Sequence, residues 1–550
     1  MLPLAEAYVE LSSRLNFDQR VCIEKALASF DSEPNRNPTF LQFPTGYGKT
    51  SVTLALLLAS HKGNTIVGER VIHVLPLRSI VQDISKRIKS DLDKIGMPPS
   101  LVAAQSMGSP GSPFFAKPLV ITTLDTFSLN LFKLPAVEVR KHFRFATSHF
   151  EVPRGFVYAG SVVFDEAHLF TLTSSAKPLT VLLASLEQLV VAGVPIILMT
   201  ATLPRAIREL LCAKLRNRDA DPVVHSYSQG DDPKFEATFG KRHIVTSIID
   251  EKDLIPTIRK LALEPSKKIL VVVNEVRRAI ELSQSSDIKP LSPDLIHGGL
   301  VELEKEKKIK DLLYGPISKV IISTQVIEAG VDLQNITTLI TDLAPMDRLV
   351  QRAGRVARRG GDGEVIVVIR NEDLDGNGRV YDPTLLKETK RIICEQGSLV
   401  DWTLDAQNLV DKAYSGLNAE DMIDTPLYFT LTDIDENVTL GASDTLEVLK
   451  KIGSFVRDTA LVKAYAPTYT TDTNVNPNGF TAVDGDVARK ILLGTRKVVR
   501  HMSIVPLPKE HEYLLYKDPP LFALHLESAG YDGILLDNYE PWVGRRTGCE

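Results

Sequence analysis

The sequence predicts an α/β protein with two tandem parallel-sheet domains and a mixed C-terminal domain. Three observations carry this. Short apolar runs bounded by turn residues recur between helical stretches, the pattern of strands buried on both faces of a parallel sheet. The runs fall into two sets, separated by the polar, glycine-containing stretch from Tyr227 to Gly240. In both sets the strands end in hydroxyls, carboxylates, amides or glycines, the groups a ligand meets at the carboxyl edge of such a sheet. The expected boundaries are residues 1–235, 236–400 and 401–550.

Composition narrows the class. The chain has 550 residues, 44% hydrophobic and 24% charged, as ordinary globular domains do. No apolar run reaches the length of a membrane span, and the first 30 residues carry no signal-peptide pattern. The expectation is a cytoplasmic protein with no membrane partner. Cys22, Cys212, Cys394 and Cys549 lie far apart without metal-type spacing and read as unpaired thiols in a reducing compartment. A net charge of −5 argues against a chain coated in basic charge, but not against a basic groove.

The first set opens with a helix carrying Val21, Cys22, Ile23 and Leu27, preceded by Gln19, whose amide could read an adenine edge. The apolar run Phe40, Leu41, Phe43 then leads into Pro-Thr-Gly-Tyr-Gly-Lys-Thr at residues 44–50, and a helix-forming run follows. Strand, glycine-rich turn and helix are what a phosphate loop requires. Gly46 and Gly48 let backbone N–H groups converge on one concavity, and the helix start adds its positive dipole end. Lys49 could reach the β- and γ-phosphates of a nucleotide and Thr50 could hold Mg²⁺. The usual first glycine of the motif is replaced by Phe43.

The strand from Val71 to Leu75 ends at Pro76 and Arg78, and that from Leu119 ends at Thr122 and Thr123. These ends suit phosphate contacts, and equally suit ordinary capping of the next helix. Ser161–Phe164 delivers Asp165 and Glu166, then Ala167 and His168. Asp165 could hold Mg²⁺ through water, and Glu166 could orient and deprotonate an attacking water. Ile196–Met199 ends in Thr200-Ala-Thr202.

In the second set, Lys267–Val273 ends at Asn274, and the charged run Glu302–Lys310 reads as a solvated helix face. Val320–Ser323 ends at Thr324 and leads to Glu328, Gly330 and Asp332. A last core strand, Thr338–Thr341, precedes Gln351-Arg-Ala-Gly-Arg355-Val-Ala-Arg358. On a helix, Arg355 and Arg358 would project from one face. Such an arginine pair fits the charge that develops on a transferring phosphoryl group. After about residue 400, helical runs (Leu404–Tyr414, Ser443–Val456) and a basic segment (Arg489 to Arg500) name no fold.

Together these blocks resemble, in order, the motif series of superfamily 2 helicases and translocases, from about Phe17 to Gly363. That superfamily commonly lacks the first phosphate-loop glycine. Within it, the phosphate loop, the Asp-Glu-Ala-His block, Thr-Gln-Val-Ile-Glu-Ala-Gly-Val-Asp-Leu and Gln-Arg-Ala-Gly-Arg are similar to the helicase part of the CRISPR-associated Cas3 proteins. The resemblance implies two RecA-like domains, ATP and Mg²⁺, and 3′–5′ movement on single-stranded DNA. It also implies a CRISPR surveillance complex of the Cascade type as recruiting partner. Cas3 usually carries an HD nuclease. This sequence has no His-Asp dipeptide and no domain-sized segment before Phe17, so the expectation is a split form with a separate HD nuclease and no nuclease activity of its own.

Residue by residue, the resemblance implies that Gln19 reads adenine. Thr45, Gly46, Tyr47, Gly48, Lys49 and Thr50 would bind phosphates, with Thr50 and Asp165 at the metal. Glu166 would be the base, His168 would couple the two domains, and Thr200 and Thr202 would link hydrolysis to movement. Gly330 and Asp332 would touch the nucleotide, and Gln351, Arg355 and Arg358 would close on the γ-phosphate. Arg78, Thr122, Thr123, Asn274 and Thr324 would line the nucleic-acid track. Two other readings stay open: a general superfamily 2 helicase of DNA repair or RNA metabolism, and a nucleic-acid clamp with a vestigial ATPase core.

Overall fold

The computed structural model describes residues 2–33, 36–106, 109–145, 147–171, 175–239, 242–315, 318–328, 333, 335–358, 360–375, 380–437, 439–457, 461–471, 474–517, 519–536 and 538–545. The chain forms two compact units. One gathers Met1–His142, Ala146–Lys241 and Asp401–Leu446; the other gathers Phe143–Phe145, Arg242–Val400 and Glu447–Glu550. The stretch after residue 400 is therefore shared between the two.

The first unit is built on strands β1 (Thr39–Gln42), β2 (Val71–Leu75), β3 (Val102–Ser106), β4 (Ser109–Pro110), β5 (Leu119–Thr123), β6 (Ser161–Phe164), β7 (Ile196–Thr200) and β8 (Val223–Ser226). Their order is β4-β3-β5-β2-β6-β7-β1-β8, parallel except for the short β3–β4 pair at the edge. Strands β1, β2, β5, β6 and β7 are buried along their whole length. Both faces of the sheet are covered, so the strands read as unbroken apolar runs rather than alternating ones. Neighbours β6, β7 and β1 are crossover-connected, and their carboxyl ends bring the phosphate loop, Asp165 and Thr200 to one edge.

The second unit carries β9 (Arg242–Asp250), β10 (Ile269–Val272), β11 (Asp294–Ile296), β12 (Val320–Ser323), β13 (Thr338–Asp342) and β14 (Gly361–Ile369), in the order β11-β12-β10-β13-β14-β9 and all parallel. The expectation that Thr338–Thr341 is the last core strand is corrected, because β14 pairs beside β13 and β9 beside β14. A further five-stranded mixed sheet runs Phe480–Asp484, Leu461–Tyr465, Gly533–Leu535, Lys497–Arg500, Ser503–Pro506. The two parallel sheets are tandem RecA-like folds and the third is the mixed C-terminal one, so the expected fold class holds. Among the described residues no helix is long and apolar enough to cross a membrane.

The helix Glu302–Tyr314 forms as expected, but its charged run is not wholly solvated. Glu304 is fully buried. Its carboxylate accepts from the Tyr539 hydroxyl (2.5 Å), the Trp542 N–H (2.7 Å) and the Tyr469 hydroxyl. Three donors replace the water that burial removes. The same C-terminal segment covers His297, which is fully buried. Its Nε2 donates to the Val543 carbonyl (2.8 Å) and its Nδ1 accepts from the Gly299 N–H (3.1 Å), which fixes a neutral ring. A Cβ on Gly544 would stand 2.7 Å from the ring, so that position takes glycine.

Burial pushes the His297 imidazole down to about 4; the Val543 bond opposes this, and Lys305 and Lys308 add to it. The folded state thus refuses a proton that the unfolded chain accepts near 6.5. Stability from this site is complete above about pH 6.5 and is lost as pH falls through 4, about 3 kcal/mol in all. Denaturant midpoints between pH 8 and pH 4 check this. A His297→Gln variant should lose the pH-dependent part; an unchanged slope would refute the assignment.

Candidate active site

The phosphate loop follows the backbone its sequence demands. Gly46 and Gly48 hold φ of 82° and 94°, a region L side chains avoid, and a Cβ at Gly48 would meet nothing within 4 Å. The constraint at Gly48 is therefore conformational rather than steric. The helix Thr50–His61 starts directly behind the loop. Lys49 is largely buried and donates its Nζ to the carbonyls of Phe43 (3.0 Å) and Pro44 (3.3 Å). Its charge is thereby held over the loop where phosphate oxygens would sit.

Tyr47 is fully buried rather than turned to a ligand. Its hydroxyl donates to Asp232 Oδ2 (2.8 Å) and accepts from the Cys22 N–H (3.2 Å). Its ring packs on Phe43, Tyr227 and Phe235, with the Arg20 guanidinium 5.8 Å from its centroid. Tyr47 thus ties the loop to the segment after Gln19 and to residues 227–235. Gln19 itself is exposed and donates to the Ser12 hydroxyl (2.9 Å).

Asp165 stands at the end of β6, nearly buried. Burial alone would raise its carboxyl, but His73, Lys49 and the Glu166 N–H outweigh that and hold it below the ordinary carboxylate range. Its Oδ1 accepts from the Glu166 N–H (2.8 Å), and Oδ2 faces His73 Nε2 at 3.4 Å, long enough that the attraction is mostly electrostatic. The other His73 nitrogen bonds the Thr53 hydroxyl (2.7 Å), one turn past Thr50. A ring with its proton on Nε2 satisfies both contacts. His73 is fully buried at the centre of β2 and went unassigned in the sequence reading. A lone histidine in an apolar strand was its only signal.

Glu166 adopts φ of 52°, a left-handed conformation that costs a non-glycine residue about 1–3 kcal/mol. That turn swings its carboxylate to within 3.6 Å of His168 Nδ1. The Thr200 hydroxyl donates to the Thr202 carbonyl (2.7 Å), so it can only accept from His168 Nδ1 (3.1 Å), and the proton of His168 is on Nδ1. The Asp-Glu-Ala-His turn and the Thr-Ala-Thr turn are therefore one hydrogen-bonded assembly. Thr202 is fully buried.

The oxygen donors Thr50 and Asp165 fit Mg²⁺, which takes one or two protein ligands, phosphate oxygens and waters. The Thr50 hydroxyl accepts from Arg87 (2.8 Å) and retains a second lone pair. Among the described residues no three His, Cys, Asp or Glu side chains gather as a metal cage.

Of the residues expected on the nucleic-acid track, Arg78 is half-buried at the start of the helix Arg78–Lys94. Thr122 is fully buried in the sheet and Thr123 caps the helix Leu124–Leu131, accepting from the Thr126 N–H. This is the capping contact, one of the two readings open for Thr123.

In the second unit Asn274 and Thr324 are likewise buried. Asn274 donates to the Leu343 carbonyl (2.9 Å) and accepts from Arg352 (3.0 Å). Gln351 is buried, and among the described residues neither of its amide atoms finds a hydrogen-bond partner. The expectation of Arg355 and Arg358 on one helix face is corrected. The helix is Met346–Ala353, and both arginines lie in the turns beyond it, where Ala357 reaches φ of 45° and Gly360 and Gly361 are also positive. Arg355 donates to the Glu328 carbonyl. Gly330 and Asp332 lie outside the described residues.

Missed altogether was Arg352, which has no exposed surface and spends its whole guanidinium inside the unit. Nε donates to Glu328 (2.7 Å), Nη1 to the Thr341 hydroxyl (2.8 Å) and the Asp342 carbonyl (3.2 Å), and Nη2 to Asn274 and the Tyr381 hydroxyl (3.3 Å).

A parallel sheet that presents a phosphate loop, a depressed aspartate and a Glu–His–Thr assembly at one edge defines a P-loop ATPase core of the superfamily 2 type. A DEAD/DEAH box helicase family model matches residues 17–210, and a model for the C-terminal part of CRISPR-associated nuclease/helicase Cas3 matches residues 265–361. CRISPR-associated helicase Cas3 of Thermoproteus tenax is 24% identical over 413 residues, 73% of this chain and 67% of its own length. CRISPR-associated nuclease/helicase Cas3 of Streptococcus thermophilus is 32% identical over 292 residues, 46% of this chain. The match spans only 30% of that relative's length and 48% of the Methanothermobacter thermautotrophicus one. The crystal structure of T. fusca Cas3-ADP is similar in fold, with a TM-score of 0.59 at 16% identity over 89% of this chain and 66% of that one. The chain thus carries a DEAD/DEAH box helicase match and a Cas3-like C-terminal match, and is similar in sequence to Cas3 helicases.

Proposed function

We propose that the chain is an ATP-driven 3′–5′ single-stranded DNA translocase and helicase of type I CRISPR interference. The observation that carries the ATP-driven part is the set of competent hydrolytic groups at one sheet edge: Lys49, Thr50, Asp165, Glu166 and His168. Lys49 and the loop N–H groups bind the β- and γ-phosphates, and Glu166 positions and deprotonates the attacking water. Mg²⁺, held at Thr50 and Asp165, supplies charge neutralisation on the phosphates when bound. Gln351, Arg355 and Arg358 act on the γ-phosphate, and Gly330 and Asp332 on the nucleotide. Arg78, Thr122, Thr123, Asn274 and Thr324 lie along the DNA path. The Cas3 relatives support the CRISPR context; recruitment by a Cascade-type complex and cleavage by a separate HD nuclease are parts of the proposal itself.

Steady-state ATPase with Mg²⁺, alone and with single-stranded DNA, duplex DNA or single-stranded RNA, tests the reading. Strong stimulation by single-stranded DNA, weak stimulation by RNA and no DNA cleavage are expected. Backbone contact without base readout also makes the stimulation sequence-independent and salt-sensitive. Equal or stronger stimulation by RNA would overturn the DNA assignment and leave a general superfamily 2 helicase. Absence of stimulation by either would leave a clamp. Pull-down with an HD nuclease tests the partnership.

A further inference from the structure

The turn Thr200–Leu203 is held from two sides within the first unit. On the inner side the Phe43 N–H donates to the Thr200 carbonyl (3.1 Å), and Gln42, at the end of β1, donates to the Leu203 carbonyl (3.4 Å). On the outer side stands the helix Ala406–Ala413, which returns to this unit from after the second sheet. Gln407 takes both backbone groups of one residue: its Nε2 donates to the Leu203 carbonyl (2.8 Å) and its Oε1 accepts from the Leu203 N–H (3.2 Å). Asp411, one turn along, accepts from Gln407 Nε2 (2.8 Å) and from the Arg205 N–H (2.8 Å), which starts the helix Arg205–Arg216.

A side-chain amide that pairs with both groups of one peptide residue imitates a strand neighbour. An apolar side chain there would strand the buried Leu203 N–H, which would then carry its full desolvation cost. The effect of the amide is positional. Thr200 and Thr202 fix the His168 ring, and His168 faces Glu166, so the register of this turn sets the place of the catalytic carboxylate.

We propose that Gln407, oriented by Asp411, is a positioning residue for hydrolysis: it braces the Thr200–Leu203 turn and thereby links the segment after residue 400 to the hydrolytic edge. This rests on the ATPase reading above. The brace acts through Leu203, without touching substrate, so its loss should change kcat rather than ATP binding.

The test is Gln407→Met, which keeps length and removes both hydrogen-bonding atoms, with Gln407→Asn, one methylene short, if the first does not fold. Amide exchange of Leu203 and Arg205 reads the brace itself, and ATPase with single-stranded DNA reads what it serves. Expected are faster exchange confined to Leu203 and Arg205, stimulated kcat down about tenfold to a hundredfold, and KM for ATP within about twofold. Unchanged exchange at Leu203 and Arg205, or faster exchange with unaltered kcat, would overturn the brace. A parallel loss in KM and kcat with general loosening of the unit would assign Gln407 to stability and overturn it too. Wild-type protein without stimulated turnover would fail the ATPase reading instead, a result the exchange measurement does not share.

Discussion

Glu166→Gln is expected to lower nucleic-acid-stimulated ATP turnover by about 10²–10⁴-fold while ATP still binds. The substitution keeps the size and the strained left-handed backbone at this position (φ 52°), and removes only the basicity. The reach toward His168 survives in geometry but not in charge. Lys49, Thr50 and the loop N–H groups are untouched, so the binding constant for nucleotide should stay within about twofold, since no phosphate contact is removed. Equilibrium binding of a fluorescent ATP analogue, beside turnover with saturating DNA, separates the two quantities. Residual turnover within a few-fold of wild type would mean that the water is activated elsewhere. Lost nucleotide binding would mean that Glu166 holds the loop rather than the water.

The phosphate loop, the Asp-Glu-Ala-His turn and the Thr-Ala-Thr turn were legible in the sequence because each is a local pattern at a strand end. Apolar runs buried on both faces announce the strands, and the chemistry follows at fixed offsets. What escaped depends on groups brought together from afar. His73 and Thr53 come from different elements and meet behind Asp165. Gln407 is 204 residues from the leucine it braces. Strands β3, β8, β9 and β14 were passed over, and exposure explains two of them. The partly exposed β8 and β9 carry mixed polar residues that dilute the apolar signal. The charged run after Val301 misled for the opposite reason. Charge predicts exposure only until tyrosine hydroxyls and an N–H are folded over it, as at Glu304. In the same way, a spacing of three positions from Arg355 to Arg358 meant one helix face only if the helix continued, and it stops at Ala353.

Arg352→Met should destabilise the second unit by about 3–5 kcal/mol, the scale for breaking a buried ion pair by removing one partner. The argument is one of inventory. A guanidinium has five N–H donors, and Arg352 places them on Glu328, Thr341, the Asp342 carbonyl, Asn274 and Tyr381, with no surface exposed. These acceptors come from three strand ends and the segment around Tyr381, so one side chain sets the carboxyl edge of the sheet. Methionine fills much of the volume and satisfies none of them. Among the described residues Glu328 would keep the Arg348 contact at 3.5 Å alone, while Asp342 retains Arg278 at 3.2 Å. The stranded charge is thus Glu328, and Glu328→Gln added to Arg352→Met should recover part of the loss. Arg352→Lys should stay well below wild type, because a single ammonium cannot span acceptors laid out for a planar fork. Unfolding of a chain with two units need not be a single transition. The readout is therefore amide exchange in β10 and β13 against that in β1 and β7. Loss of protection confined to the second unit is the expected pattern. A change below about 1 kcal/mol there would show that the network contributes little beyond packing.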